Sequence, residues 1–272
     1  MAHQDTIKVI SDIAELYEKE WEKRSLGFAR EFLSRTWAGI PLPTLSVCGR
    51  GTQEIRYSKY LGYFLDPTKP HGVGTKYLNQ MLAFLGYEKI DTYNAITETE
   101  KWIGTACDEK GSTDCIGDIV ISTSDYYIFI EQKIKSGESS SPKSETNQLA
   151  RYDQAIHNNI ELQGKKEIRI FLTPNGKLST KSLNWIPMSY DDLVNIGLKT
   201  LSSGGLSGIA RENLKRFLMD LKLGPFEKEE SEIQTIIDFA EKAIINKRFY
   251  DRLRFDQLVS NNRLLINLLM EG

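Results

Sequence analysis

The stretch from Cys115 to Lys133, CIGDIVISTSDYYIFIEQK, constrains the fold of this chain more than any other. Two apolar runs, GDIVIS and YYIFIEQKI, flank a short polar turn at Thr123–Asp125, which is the pattern of two neighbouring buried strands. Successive side chains of a strand point to opposite faces. In the second run Ile128, Ile130 and Ile134 therefore share one face with Gln132, and Tyr127, Phe129, Glu131 and Lys133 share the other. An acid and a base thus emerge side by side at the end of a strand that is otherwise apolar.

Helical periodicity brackets this hairpin. Residues from about Asp5 to Trp37 read as helix, with Ile10, Ile13, Leu16 and Tyr17 at helical spacing. Pro41 and Pro43 break it, and further helices are expected from Thr52 to about Leu65 and from Thr75 onward. Strand texture begins near Ile90, and DEKGST (residues 108–113) reads as a surface loop. After the hairpin, SGESSSPKSE is poor in apolar residues and expected to be mobile. A helix from about Glu145 to Asn158, a strand EIRIFLTP and a short strand near Trp185–Met188 follow. Ser189, with Asp191 and Asp192 in the first turn, opens another helix. Residues from about Gly205 to the end look helical, broken at Gly224-Pro225. The expected architecture is α/β: a mixed central sheet flanked by helices, in which a helix joins two parallel strands. Residues 1–50 form an N-terminal helical extension, 51–204 the core, and 205–272 a C-terminal helical region. An apolar stripe of Ile233, Ile236, Ile237, Ala240 and Ile244 is expected to pack on the domain, a homodimer interface being the alternative.

Composition bounds the setting. With 35 basic and 37 acidic residues the net charge of −2 gives no global sign of nucleic-acid binding and does not exclude it, because the local field near the phosphates decides. No stretch is long and apolar enough to cross a bilayer, and the N-terminus lacks the pattern of a secretory signal. Cys48, Cys107 and Cys115 match no common zinc spacing and read as reduced thiols, so the chain is expected to be cytoplasmic.

The hairpin adds a third charged group to Glu131 and Lys133. A tight turn centred on Thr123–Ser124 sets Asp118 opposite Phe129; a longer turn moves its partner to Ile130 or Glu131. Opposed Cβ atoms lie roughly 4.5–5.5 Å apart, so both carboxylates can reach one ion. Held that close they repel unless a cation or a proton lies between them. Mg²⁺ suits such an oxygen set, with Mn²⁺ able to substitute. Lys133 would position the attacking water and stabilise charge on the phosphate. The Gln132 carbonyl, along the strand edge, is a further candidate ligand. In the following helix, Gln148 and Tyr152 sit at i and i+4: Gln148 can hold a phosphate, and Tyr152 can stack or bond to a strand backbone. The alternative is an ordinary amphipathic helix with Leu149 and Ile156 in the core. His71, in HGVG, reads as a structural cap rather than a base, and Lys165, Lys166 and Arg169 as surface charges that could also contact nucleic acid.

Several stretches together resemble the PD-(D/E)XK nuclease superfamily. IGDIVI, IFIEQKI and QLARY are similar to a bacterial branch carrying IENKI followed by QLxxY. So are YSKYLGYFLDP with HGVGTKYL, and FLTPNG with the later MSYDDL. The similarity spans about Glu54 to Leu193. It implies a restriction-endonuclease-like core, with Asp118 and Glu131 as metal ligands and Lys133 as the catalytic lysine. It implies that Glu54, on a helix before the sheet, completes the metal shell, and that Gln148 and Tyr152 are accessory. Gly117 stands where the motif has Pro, and Gln132 replaces the Asn of IENKI. The function it implies is an Mg²⁺-dependent endonuclease of double-stranded DNA, in restriction or another defence against foreign DNA. Alternatives are an RNA-directed or exonucleolytic enzyme on the same scaffold, and a binding or assembly module with a degenerate site.

Overall fold

Five strands form one mixed sheet whose spatial order is the order of the sequence: β1 (Ile96–Asp108), β2 (Gly111–Ser122), β3 (Tyr126–Gln132), β4 (Lys166–Thr173) and β5 (Ile186–Ser189). The computed structural model of the chain describes residues 2–50, 53–108, 111–134, 142–178, 182–224 and 231–271. The first three strands are antiparallel, and β3, β4 and β5 run parallel. A parallel pair needs a crossover, and the helix joining β3 to β4 spans Pro142–Asn158. The segment SGESSSPKSE lies mostly outside the described residues. Where a surface loop is expected at residues 108–113, β1 runs to Asp108 and β2 starts at Gly111. Ser112 and Thr113 pair with Cys107 and Ala106, so polar residues there mark an exposed hairpin end rather than a loop.

Ahead of the sheet come five helices, α1 (Ala2–Arg24), α2 (Leu26–Ala38), α3 (Thr44–Val47), α4 (Glu54–Leu65) and α5 (Lys76–Phe84); the crossover helix is α6. The single N-terminal helix expected from about Asp5 to Trp37 is divided at Ser25. After β5 follow α7 (Tyr190–Ser202), α8 (Gly208–Leu223), α9 (Ser231–Ile245), α10 (Phe249–Asn261) and α11 (Arg263–Met270). Among the described residues, the region after Gly205 is mainly helical, with interruptions at residues 246–248 and at Asn262; the break expected at Gly224-Pro225 falls where the described residues stop. The expected start of α7 is present as a capping box, Ser189 and Asp192 each bonding the other's backbone N–H.

By contacts the chain forms two compact units, residues 42–227 and a second unit from residues 1–41 with 228–272. In the larger unit the sheet is covered on both faces. On one, α4 buries Tyr57, Leu61, Phe64 and Leu65, each contributing about 1.5–3 kcal/mol by leaving water. Gly62 permits this approach: a Cβ there would stand 2.7 Å from Thr99 Cγ2. On the other face, α6 sets Leu149, Tyr152, Ala155 and Ile156 against Val120, Phe129 and Phe171. In the smaller unit, Ile233, Ile236 and Ala240 are buried in α9, which packs on α2 and α10. Among the described residues, no helix is long and apolar enough to cross a membrane.

His71 acts as the expected structural group. It is buried, its Nδ1 accepts from Val73 N at 3.0 Å, and its Nε2 lies 2.8 Å from the Asp66 carbonyl, to which it donates. Burial pushes its pKa below the ordinary value, so the ring stays neutral in this bracket. Gly72 and Gly74 take positive φ beside it.

At Gly104 α6 comes close to the sheet: φ is +135° and a Cβ would meet the Ala155 carbonyl oxygen at 2.5 Å. Both features disfavour a side chain. Gly104→Ala is expected to cost about 2–4 kcal/mol. In thermal unfolding followed by circular dichroism this is a fall of roughly 4–16 °C; an unchanged midpoint would show that α6 does not press on β1.

Candidate active site

The hairpin turn sets the geometry of the carboxylates. Thr123 N donates to the Tyr126 carbonyl at 2.9 Å, and Tyr126 N donates to Thr123 Oγ1 at 3.0 Å. The turn is therefore centred on Ser124–Asp125, one residue later than the tightest turn expected. Moving the centre by one residue moves every cross-strand partner by two. The pairs Val120↔Phe129 and Ile119↔Ile130 follow, and the next step of that register sets Asp118 across from Glu131.

Glu131 and Lys133 sit at the end of β3, whereas Asp118 is the eighth residue of β2, inside the strand rather than at its end. Glu131 is the sixth residue of β3 and 1% exposed; Lys133 follows β3, its N–H extending the ladder to the Leu172 carbonyl at 2.8 Å. Lys133 Nζ donates to Glu131 Oε1 at 2.7 Å, while Glu131 Oε2 is buried with no partner among the described residues. Asp118 Oδ2 accepts from Gln132 N at 2.7 Å, which ties β2 to the end of β3. The Gln132 side chain lies on the opposite face, as alternation requires, and its Nε2 donates to the Glu54 carbonyl at 3.2 Å.

Glu54 is the first residue of α4, and its Oε1 accepts from Ile134 N at 3.0 Å. The helix start is thereby fastened to the strand end that carries Glu131 and Lys133. Gln148 Nε2 donates to the Tyr152 hydroxyl at 2.9 Å, and that hydroxyl donates to the Ile116 carbonyl at 2.7 Å, two residues before Asp118. Tyr152 thus bonds a strand backbone, as expected, and Leu149 and Ile156 of the same helix lie in the core.

Electrostatics agree with this crowding. Burial, with Glu54 and Glu100 adding to it, pushes Asp118 up to about 6 against the pull of Gln132 N–H and Lys133. Burial first, and Asp118 second, push Glu131 up to about 8, although Lys133 opposes them. For Lys133 burial acts downward, but Glu131, Glu54 and Asp118 together outweigh it and hold the ammonium above its usual range. Burial and the Glu131 charge raise the Tyr152 phenol. Two carboxylates with raised proton affinity, one carrying an unpartnered buried oxygen, form an oxygen donor set short of positive charge. That set fits a hard divalent cation. Among the described residues no group of three or more His, Cys, Asp or Glu side chains converges on one point, so water and phosphate would fill the remaining positions.

Of the expected surface cations, Lys165 Nζ bonds Ser122 Oγ at 2.9 Å and lies 4.7 Å from the Tyr127 ring centroid. Arg169 is paired with Asp153 and Glu167 and serves the fold. Two further side chains act near the site: Tyr190 lies within the MSYDDL stretch but is not among the residues expected there, and Glu100 carries no sequence signal of its own. Tyr190, at the start of α7, donates to the Lys133 carbonyl at 3.3 Å. Glu100, in β1 between the partners of Ile119 and Gly117, has φ +55° and acts on Asp118 through its charge.

The arrangement can hold a cation between Asp118 and Glu131 with an ammonium beside it. No curated protein and no solved structure matches the chain. Residues 43–221, more than half of the sequence, match the family model of the PD-(D/E)XK nuclease superfamily. Its members are nucleases, phosphodiesterases that act on nucleic acid and generally use divalent metals. With this match spanning the whole sheet and its covering helices, the chain belongs to the PD-(D/E)XK nuclease superfamily.

Proposed function

We propose that this chain is an Mg²⁺-dependent endonuclease of double-stranded DNA, with Asp118, Glu131 and Lys133 as its catalytic residues and restriction or another defence against foreign DNA as its setting. The observation that carries the proposal is the Glu131 carboxylate: 1% exposed, one oxygen paired with Lys133 and the other without a partner among the described residues, across the hairpin from Asp118. A buried carboxylate lacking a partner is costly unless a ligand completes it. Asp118 and Glu131 would hold the ion, the Gln132 carbonyl would add an oxygen, and Glu54, whose Oε1 is bonded to Ile134 N, would complete the shell through water rather than as a third converging carboxylate. Bound there, a divalent cation lowers the pKa of water and neutralises charge on the scissile phosphate. Lys133 Nζ, kept charged by the carboxylates, orients the attacking water and stabilises the charge that develops on the phosphate. Gln148 and Tyr152 steady β2 at Ile116, two residues before Asp118, and Tyr190 steadies the carbonyl of Lys133. The presence of all three charged residues favours an active enzyme over a binding module. Cutting both strands of a duplex calls for two such sites, which a homodimer would supply.

The test is incubation with supercoiled plasmid, linear duplex, single-stranded DNA and RNA, each with Mg²⁺, Mn²⁺ or chelator. Nicking and linearisation of the plasmid with either metal, and none with chelator, is expected. Cleavage in chelator would overturn the metal dependence. Degradation of linear duplex with intact supercoiled plasmid would assign an exonuclease, and a preference for RNA would overturn the substrate.

A further inference from the structure

On the side of Asp118 away from the turn, β1 and β2 run on as a two-stranded arm, residues 101–108 paired with residues 111–117. One face of this arm is covered. Ile103, Ala106 and Cys115 are buried against α6, Asn159 Nδ2 bonds the Ile103 carbonyl at 3.1 Å, and Gln154 Oε1 accepts from Cys107 N at 3.2 Å. The opposite face is open and carries an apolar pair: Trp102 and Ile116 are cross-strand partners, each 47% exposed. A tryptophan on a solvated strand normally folds down onto its neighbours. Here its edge is tethered instead. Trp102 Nε1 donates to Asp114 Oδ1 at 3.2 Å, and Thr105 Oγ1 fixes the same oxygen at 2.9 Å. The tether occupies the indole N–H and leaves the ring faces unengaged by it.

Two backbone irregularities bracket Trp102. Glu100 lies at φ +55°, and the register shifts between Trp102 and Gly104, which has φ +135°. Bulges of this kind re-aim side chains and concentrate beside active sites. Ile116 precedes Asp118 by two residues, about 7 Å of strand. That is about two steps of a stacked nucleic-acid strand, at 3.4 Å per nucleotide. Charge narrows the occupant further. The Asp114 carboxylate at the ring edge repels a phosphate, so the surface fits the uncharged π face of a base.

We propose that the open face of the arm, centred on Trp102 and supported by Ile116, stacks against a nucleobase displaced from the duplex within about two nucleotides of the phosphate cut at Asp118 and Glu131. Trp102 is then a substrate-positioning residue, and the enzyme favours sites where a base leaves the stack at low cost, such as a mismatch. The inference rests on the active-site reading above.

The test uses the full chain carrying Asp118→Ala, with Mg²⁺, and fluorescence anisotropy on labelled duplexes that are fully paired or carry one central mismatch; a gel run alongside records any cleavage. Adding Trp102→Ala should weaken binding to the mismatched duplex roughly 5- to 100-fold, the range expected for one lost base stack. Trp102→Phe should retain most of it, and all variants should melt together. An abasic site scanned through the strand should weaken binding at one position in the parent and at none in the Trp102→Ala chain. Equal affinity of the parent and Trp102→Ala for every duplex, with cleavage abolished, overturns the stacking face and leaves the active site standing. Weakened binding by Trp102→Ala while Asp118→Ala still cuts keeps the stacking face and overturns the active-site reading.

Discussion

Glu131→Ala is expected to lower the rate of plasmid nicking by at least 10²–10³-fold at saturating Mg²⁺, the usual loss when one preorganised electrostatic group is removed from an active site. Asp118→Ala and Lys133→Ala are expected to fall in the same range. The three side chains act as a unit. Asp118 Oδ2 holds Gln132 N, Lys133 Nζ holds Glu131 Oε1, and Glu131 Oε2 faces the position left for a ligand. Losses of such groups do not add, so a variant lacking two of them should be little slower than one lacking Glu131 alone. Lys133→Arg should remain strongly impaired, because a planar guanidinium does not replace a compact ammonium at 2.7 Å from a buried carboxylate. The measurement is initial nicking rate beside a far-ultraviolet circular dichroism spectrum for each variant. Full activity in any of the three alanine variants, with the fold intact, would sink these roles.

The same carboxylates should make the stability of the metal-free chain depend on pH in an unusual direction. Glu131 sits near 8 in the folded state, against an ordinary value of 4.5. Between those values the folded chain keeps a proton that the unfolded chain has lost. Stability attributable to Glu131 is therefore full below about 4.5 and declines as pH rises towards 8. Asp118, raised to about 6, acts in the same direction from 3.8 upward. Together they should remove a few kcal/mol between pH 5 and pH 8. A divalent cation that replaces the proton should restore it. Asp220, which is also raised to about 6 by its burial in α8, adds to the same trend away from the site. The comparison with Glu131→Gln isolates the site from this background. At pH 8 in chelator that variant should melt higher than the parent by roughly 5–15 °C, and Mg²⁺ should raise the parent's midpoint but not the variant's. Parallel pH profiles for the two chains would show that Glu131 carries no such burden.

Much of the site could be read from the order of residues because it depends on local geometry. Strand alternation alone set Glu131 and Lys133 on the face of Phe129 and sent Gln132 to the other, where it meets the Glu54 carbonyl. The i,i+4 spacing of Gln148 and Tyr152 became a hydrogen bond of 2.9 Å. The glycines around His71 marked a bracket rather than a base, and Ser189 with Asp192 marked a helix start. Each of these involves residues within a few positions of one another, where backbone sterics leave few alternatives.

Other features were decided by contacts between distant residues. The partner of Asp118 hinged on a one-residue shift of the turn centre, resolved by the Thr123 hydroxyl on Tyr126 N and by the packing of the strands. The polar stretch around Ser112 is strand because its pairing with β1 satisfies its backbone, whatever its composition suggests. Ser25 divides the N-terminal helix, and both chain ends join in one helical unit in which α9 lies against α2. Tyr190 under Lys133, Glu100 beside Asp118 and the tethered ring of Trp102 depend on register and close packing across the sheet. Residue order alone gives the α/β class, the acid and base at the end of β3 and the residues that can carry the chemistry, because periodicity and alternation are local rules. Which carboxylates face one another, what fastens them and which face of the arm stays open follow from packing, because long-range register is set across the whole sheet.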